Sequence, residues 1–376
     1  MHHPFARIIG IFWASKKALM ASLLTLAFPL AALSAPFAYI TNQLSGDISV
    51  IDVATNTVIQ TLPVGGNPYG VAVNPNGRQV YVANFNQDEV HVIDTLTNTV
   101  SASIGVGSRP YGMAINPAGT RLYVANYWGN TVSVIDITNN TLITTITGLT
   151  GAYDVAVHPD GTRIYVTDLA NAVHVIDSVT NVLTTSVALP GKKPGGIVIH
   201  PTGSKLYTAN QDGDDVSVID LTTNTVSTHV PAGGLPSGIT ISQDGATVYV
   251  ANESIGEVSV IDTASNTETG RIAVGNGPRG VSLSGNKLYV ANQGSNNVSV
   301  VDITAPNATH PTVAVGSEPQ AFGFFISAGP TPTPTSTTAV PTLSQWSLVA
   351  LSVCMGTGLL ISRRRTHPTP MRQRDL

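Results

Sequence analysis

The sequence predicts an all-β protein, a seven-bladed β-propeller of four-stranded antiparallel blades. One observation is a Tyr-Val-Ala-Asn-like tetrapeptide that recurs at intervals of 42 residues, with a last interval of 40. Its tyrosines are Tyr39, Tyr81, Tyr123, Tyr165, Tyr207, Tyr249 and Tyr289. A second is an Asp series that closes segments such as VSVID, and a third is a Pro series, both with the same period. Three markers with one period of this length indicate a propeller.

The composition agrees with many short strands joined by turns. Hydrophobic residues make up 42% of the chain and charged residues only 11%, and there are 35 Gly and 24 Pro. Such a chain is poor in helix-forming charged residues and rich in turn formers.

Each repeat contains four strand signals. In the second repeat they are Gly70 to Asn74, Gln79 to Asn84, Val90 to Asp94 and Thr99 to Gly105, separated by turns rich in Gly, Pro, Asn and Asp. The first strand has the smallest residues, so we expect it to lie innermost, at the crowded axis.

The two ends of the repeat region predict how the ring closes. Residues 36–65 supply only the last three strands of a blade, and Pro319 to Ile326 supply only a first strand. Joining them completes the seventh blade and removes an open sheet edge.

The repeat form PxGVAVNPxGxxxYVAN, followed by VSVID and TNTV, resembles the YVTN-family β-propellers of archaeal surface layers and bacterial envelopes. The resemblance covers residues 36–328. It implies the seven-bladed fold, but these positions are structural and leave the function open. Related propellers include lactonases, quinoprotein or haem d1 domains, and periplasmic DNA-binding proteins.

The N-terminal segment predicts export. Residues 1–35 contain three basic residues, an apolar run from Ala18 to Leu33 and small residues at Ser34 and Ala35, which is the layout of a signal peptide. The alternative is an N-terminal membrane anchor.

The C-terminal segment predicts sorting to the cell envelope. Residues 329–339 form a Pro/Thr linker, residues 340–365 an apolar segment that ends in Arg363, Arg364 and Arg365, and residues 366–376 a basic tail. The segment 340–365 resembles the IPTL-CTERM sorting signal, which implies a processing enzyme as partner and contact with the membrane as a transmembrane segment. Val340 stands where that family has Ile. An ordinary membrane tail is the alternative.

The charge of the body does not favour nucleic acid as a partner. Residues 36–329 carry 10 Lys or Arg against 21 Asp or Glu, whereas nucleic-acid affinity depends on basic side chains that neutralise phosphates. DNA binding would require a local patch of Arg109, Lys192, Lys193 and Arg279.

The sequence predicts no catalytic, metal or cofactor site. The Asp series is interpreted as turn-forming, since each Asp ends a strand before Thr and Asn. Two histidines in VHVID segments, His91 and His174, lie two repeats apart, too far for a tight metal cluster. The body has no Cys and no G-x-S-x-G or H-E-x-x-H motif.

The loops where the repeats differ predict a ligand-binding face. Loops that lead into the first strand and turns between the second and third strands should open on one face, and they contain exposed aromatics beside Arg. The candidate residues are Trp128, Tyr127, Phe85, Tyr69, Tyr111, Tyr153, Arg109 and Arg279. The alternative is that the tyrosines only close the channel by packing.

The sequence therefore predicts an exported, non-catalytic scaffold that binds a protein, glycan or matrix partner of the cell envelope. One alternative is a propeller enzyme or redox protein of lactonase or quinoprotein type. The other is a DNA-binding propeller.

Overall fold

The strands follow the sequence repeat. The structure, a computed structural model, describes residues 36–327, and within them it has 28 β-strands and one turn of 3-10 helix at Gln293–Ser295. The strands are β1 (Phe37–Asn42), β2 (Asp47–Asp52), β3 (Thr57–Pro63), β4 (Pro68–Val73), β5 (Gln79–Asn84), β6 (Glu89–Asp94), β7 (Thr99–Gly105), β8 (Pro110–Ile115), β9 (Arg121–Asn126), β10 (Thr131–Asp136), β11 (Thr141–Ile146), β12 (Ala152–Val157), β13 (Arg163–Asp168), β14 (Ala172–Asp177), β15 (Val182–Ala188), β16 (Pro194–Ile199), β17 (Lys205–Asn210), β18 (Asp215–Asp220), β19 (Thr225–Pro231), β20 (Pro236–Ile241), β21 (Thr247–Asn252), β22 (Glu257–Asp262), β23 (Thr267–Ala273), β24 (Pro278–Ser284), β25 (Lys287–Asn292), β26 (Asn297–Asp302), β27 (Thr312–Ala314) and β28 (Phe322–Phe324).

Consecutive strands pair antiparallel in groups of four, as the sequence predicts. Blades 1 to 6 are β4–β7, β8–β11, β12–β15, β16–β19, β20–β23 and β24–β27. Blade 7 contains β1–β3. In the second repeat the innermost strand begins at Pro68, two residues before the predicted start, and the next strand has the predicted bounds.

The core lies between neighbouring blades. The second and third strands of a blade are almost entirely buried, while the fourth exposes most of its residues. One hydrophobic cluster joins Tyr81 and Val90 of blade 1 to Leu122 and Ile135 of blade 2. Each blade therefore buries both faces of its middle strands against its neighbours, which explains their near-continuous apolar sequences.

Glycine is required where the innermost strands approach one another. A Cβ atom at Gly70 would lie 2.0 Å from the carbonyl oxygen of Tyr111, and one at Gly238 would lie 2.1 Å from that of Arg279. These contacts confirm that the first strand of each repeat is innermost.

Residues 319–327 complete blade 7, which confirms the predicted closure. The amide of Gln320 donates to the carbonyl oxygen of Thr41 at 2.8 Å, and the amide of Tyr39 donates to that of Phe325 at 2.8 Å. Within this segment β28 also pairs in parallel with β4 of blade 1. The C-terminal segment thus links blade 7 to blade 1.

The Asp series closes turns. Asp94 Oδ1 accepts the amide protons of Leu96 at 2.8 Å and Thr97 at 3.0 Å. Hydrogen bonds from the hydroxyls of Thr138 and Thr222, followed by those from backbone amides, hold the pKa of Asp136 and Asp220 below the usual value. These aspartates therefore stabilise the turns of every blade.

Four predicted segments lie outside the described residues: 1–35, 329–339, 340–365 and 366–376. No helix within residues 36–327 is long and apolar enough to cross a membrane.

Candidate functional site

The predicted site residues gather on one face of the propeller, termed the upper face, around the end of the central channel. The loops into the innermost strands and the turns between second and third strands meet there. Six rings form an aromatic cluster: Tyr69, Phe85, Tyr111, Tyr127, Tyr153 and Phe322. The ring centroids of Tyr69 and Tyr111 lie 4.7 Å apart, and those of Tyr111 and Tyr153 lie 4.2 Å apart. Five of these rings were predicted from the sequence, and Phe322 was not.

Tyr111 and Tyr153 are buried, with 6% and 5% of their surface accessible. For these two residues the structure agrees with the alternative that the tyrosines close the channel by packing, and not with exposed aromatics. The hydroxyl of Tyr153 donates to that of Tyr111 at 2.7 Å. Burial raises the pKa of both phenols, so they remain protonated donors. Both rings make T-shaped contacts with Phe322. Together they close the channel just below its opening on the upper face, which we call the mouth.

Arg109 lies between two aromatic rings at the edge of the cluster. Its guanidinium carbon is 4.8 Å from the ring centroid of Phe85 and 4.8 Å from that of Trp128. Trp128 is 63% exposed. A groove of about 390 Å³ runs from Tyr127 and Trp128 to Leu169. Cation–π contacts on both faces fix the guanidinium and hold the indole at the groove.

Arg279 lies close to the tyrosine hydroxyls and pairs with groups that the sequence analysis missed. Its Nη2 is 2.7 Å from Oε1 of Glu253, and its Nε donates to Oε1 of Gln293 at 3.0 Å. Burial alone would lower its pKa, but the nearby tyrosines and Glu253 raise it above the usual value. The charged guanidinium is thus held at the mouth of the channel.

Two repeat positions explain the arrangement of the mouth. The residue after the recurrent Pro and the residue after the recurrent Asn are aromatic or apolar in blades 1 to 3. In the other blades most are polar. We call these polar residues of blades 4 to 7 the polar arc: Gln43, Gln211, Ser237, Glu253, Arg279, Gln293 and Gln320. Reading these two positions blade by blade would have identified the arc from the sequence.

Two atoms of the polar arc are buried without a hydrogen-bond partner among residues 36–327. They are Oγ of Ser237 and Oε1 of Gln320, and both residues are almost fully buried. Buried polar atoms in proteins are usually paired. Both atoms are also shielded from solvent, so they lie inside the fold and not at the surface of the mouth.

Asp154 interrupts the column of axial glycines and was also missed. It occupies the position of Gly70 and Gly112 in the other repeats. Its carboxyl accepts amide protons from Val155 at 2.8 Å and Ile197 at 3.2 Å. Burial raises its pKa to about 8, so the carboxyl is protonated at neutral pH. It lines a cavity of about 20 Å³ at the narrowest part of the channel.

The basic side chains considered for DNA binding do not form an unpaired patch. Nζ of Lys192 lies 2.5 Å from Oδ2 of Asp215, and Nζ of Lys193 lies 3.9 Å from Oδ1 of Asp212. Arg279 is paired with Glu253 as described. Each carboxylate partner offsets the positive charge that would otherwise attract the phosphates of DNA.

No group of three His, Asp or Glu side chains within residues 36–327 is arranged to hold a metal ion. His174 instead bonds to Asp168 through Nε2 at 2.6 Å and to Ser186 through Nδ1 at 2.8 Å. His91 makes the equivalent link in its own blade. These histidines connect strands within a blade.

Three family models match parts of the chain. Residues 78–240 match the YNCE-like beta-propeller, residues 221–311 match the 7-bladed beta-propeller lactonase, and residues 338–365 match the IPTL-CTERM motif. The resemblances to a propeller family and to the IPTL-CTERM signal are thereby confirmed, and the motif indicates an exported protein. No curated protein matches the sequence.

Solved structures share the fold at low sequence identity. The periplasmic gluconolactonase PpgL of Pseudomonas aeruginosa is 20% identical with a TM-score of 0.65, covering 79% of this chain and 100% of that one. The hydrazine synthase of Kuenenia stuttgartiensis is 21% identical with a TM-score of 0.62, covering 68% and 88%. A functionally unknown protein from Desulfotomaculum acetoxidans is 21% identical with a TM-score of 0.66, covering 76% and 99%.

The prediction that the chain is not an enzyme is wrong. The lactonase family model matches residues 221–311. That stretch contains Ser237, Glu253, Arg279 and Gln293, which form most of the polar arc. Motifs of contiguous residues do not identify such a site, because these side chains come from two different blades and meet only in the folded ring.

Proposed function

We propose that this chain, a seven-bladed β-propeller with a C-terminal IPTL-CTERM motif, hydrolyses a sugar-derived lactone at the mouth of its channel. The observation that carries the proposal is the Arg279–Glu253 pair beside the buried Tyr111 and Tyr153 hydroxyls. Its support from comparison is the lactonase match over residues 221–311, which include Glu253 and Arg279.

Lactone hydrolysis needs a group that accepts a proton from water and a group that stabilises the oxyanion. Oε2 of Glu253 takes part in no hydrogen bond among residues 36–327, so it can accept a proton from an attacking water. Nη1 of Arg279 likewise has no acceptor among these residues and can donate to the developing oxyanion. Water adds to the carbonyl carbon and the bond to the ring oxygen breaks. The proton held by Glu253 passes to that oxygen, which gives a hydroxy acid.

The two halves of the mouth suit a sugar ring. A sugar has apolar C–H faces and a rim of hydroxyl groups. The exposed Trp128 and the half-buried Tyr127 can cover an apolar face. The polar arc supplies the half-buried Gln211 and Gln293 to the hydroxyl rim. The groove of about 390 Å³ beside Trp128 leaves space for a substituent on the sugar.

In this proposal the propeller acts outside the cytoplasm. The signal-like segment 1–35 directs export, and the motif at residues 338–365 is the substrate of an envelope sorting enzyme. Deleting residues 340–376 should release the propeller from the membrane fraction. Unchanged fractionation of that variant would refute anchoring by this segment.

The activity can be tested with glucono-1,5-lactone and related aldonolactones, by following acid release above the uncatalysed rate. The wild-type chain should hydrolyse at least one of them, and Arg279→Met should lose the activity. Arg271→Met is a matched control, because Arg271 forms an ion pair with Glu268 on the outer strand of blade 5, away from the mouth. A wild-type rate equal to the uncatalysed rate for the whole panel, or equal losses in both variants, would refute the proposal.

A further inference from the structure

The opposite end of the channel carries a second cavity with different chemistry. It has a volume of about 470 Å³ and opens on the lower face, where the innermost strands end. Its wall includes the last residues of five of these strands and one residue of β28: Val73, Ile115, Val157, Ile199, Ile241 and Phe324. None of the described side chains that line it is charged.

The size and lining of this cavity fit a ligand with an apolar body. Ligand pockets commonly measure about 300–1,000 Å³ and are lined mainly by apolar side chains with a few polar groups. The polar side chains here, Ser242 and Gln243, lie at one side of the cavity and also line its neighbour of about 320 Å³. A ligand with an apolar chain and a polar end therefore matches both regions.

Phe324 separates these two lower cavities. It lines both of them as well as the narrow part of the channel, and 56% of its surface is exposed. Its backbone is fixed by pairing with Ala72 of β4. An exposed phenylalanine at the centre of an apolar opening contributes little to the core and is available to contact a ligand.

The described part of the chain also ends on this face. The last described residue, Ser327, follows Phe324 by three positions and donates its amide proton to Phe37. The IPTL-CTERM match begins at residue 338 and includes the apolar stretch from Leu348 to Ile361. The cavity thus opens on the face where the described part of the chain ends.

We propose that the lower cavity binds the acyl chain of an envelope lipid, with Phe324 against the chain and Gln243 near the polar end. This site is separated from the Arg279–Glu253 pair by the narrow part of the channel at Asp154. It does not depend on the proposed lactone hydrolysis.

Calorimetric titration of the full chain with monomeric saturated carboxylates tests the site. From hexanoate to decanoate the affinity should rise about fourfold for each added methylene. Decanoyl lysophospholipid should bind as well, since the polar end lies at the opening. Phe324→Asp should weaken decanoate binding at least about tenfold, because the carboxylate would be buried against the chain. Val157→Asp, at the cavity wall, should weaken it similarly.

Leu44→Asp is the matched control. Leu44 is 69% exposed in a turn of the upper face, and its replacement should leave decanoate binding unchanged. All variants retain the apolar C-terminal stretch, so any binding to that stretch would be common to them. Affinity independent of chain length, or equal affinity in wild type and Phe324→Asp, would overturn the proposal. If decanoate binds and decanoyl lysophospholipid does not, the ligand of the cavity is not an envelope lipid. Unchanged lactone hydrolysis in Phe324→Asp would show that the two sites are separate.

Discussion

Nη2 of Arg279 lies 2.7 Å from Oε1 of Glu253, although the two residues belong to different blades. Glu253 follows β21 of blade 5, and Arg279 is the second residue of β24 in blade 6. Both side chains are largely buried, so the pair has less solvent screening than a surface ion pair. Removing one partner leaves the other charge without compensation at the channel mouth.

Glu253→Gln should lower kcat for lactone hydrolysis by about 10²–10⁴, because the amide cannot accept a proton from water. KM should change little, since the side chain keeps its shape and its oxygen can still accept from Arg279. Steady-state kinetics of acid release would measure both constants. Glu268→Gln, which alters the ion pair of Arg271 on the outer strand, should retain the wild-type kcat. A Glu253→Gln enzyme with normal kcat would exclude this carboxylate as the base.

Trp128→Ala should raise KM about three- to tenfold with little change in kcat, because the indole covers the sugar face without contacting the reacting atoms. The loss should grow for lactones that carry an additional sugar, which would occupy the groove. Leu142→Ala removes an exposed side chain from the outer strand of the same blade and serves as the control. Equal KM values for all three proteins would show that the groove does not contact the substrate.

The sequence predicted the fold in detail because the same pattern of strand and turn residues occurs seven times. The strand pattern, the innermost position of the glycine-rich strand and the closure by residues 319–326 all depend on local residue types and on counting. The site depends on contacts between blades. The pairing of Glu253 with Arg279 requires the distance between two turns that are remote in sequence.

The sequence left open whether Tyr111 and Tyr153 are exposed or packed in the channel, for a similar reason. A tyrosine in a loop can face solvent or the axis, and the ring of blades decides which. Asp154 was visible as the one charged residue in a column of glycines that Ala321 also interrupts. Its significance becomes clear only when the close approach of neighbouring innermost strands is known. Departures from the repeat at axial positions are therefore worth examining in any propeller sequence.

The hydroxyl of Tyr289 links blade 6 to blade 7 by donating to Oδ1 of Asn56 at 2.8 Å. Tyr289→Phe should lower the free energy of unfolding by about 1 kcal/mol, because it removes this hydrogen bond between the blades. Tyr207 is the matched control, since its buried hydroxyl has no partner among residues 36–327. Tyr207→Phe should be neutral or slightly stabilising in urea unfolding. Equal losses in both variants would show that ring packing, and not the hydrogen bond, determines the effect.

Asp154 should make the stability of the propeller fall as the pH rises. Its folded-state pKa is about 8 because of burial, whereas an unfolded Asp titrates near about 4. Between these values the folded state binds one more proton than the unfolded state, so raising the pH favours unfolding. Relative to Asp154→Asn, which does not titrate, the free energy of unfolding should decrease by about 1.4 kcal/mol per pH unit across this window and remain level above it. Urea unfolding of both proteins from pH 4 to pH 9 measures the difference. A constant difference would mean that Asp154 is ionised in the folded protein.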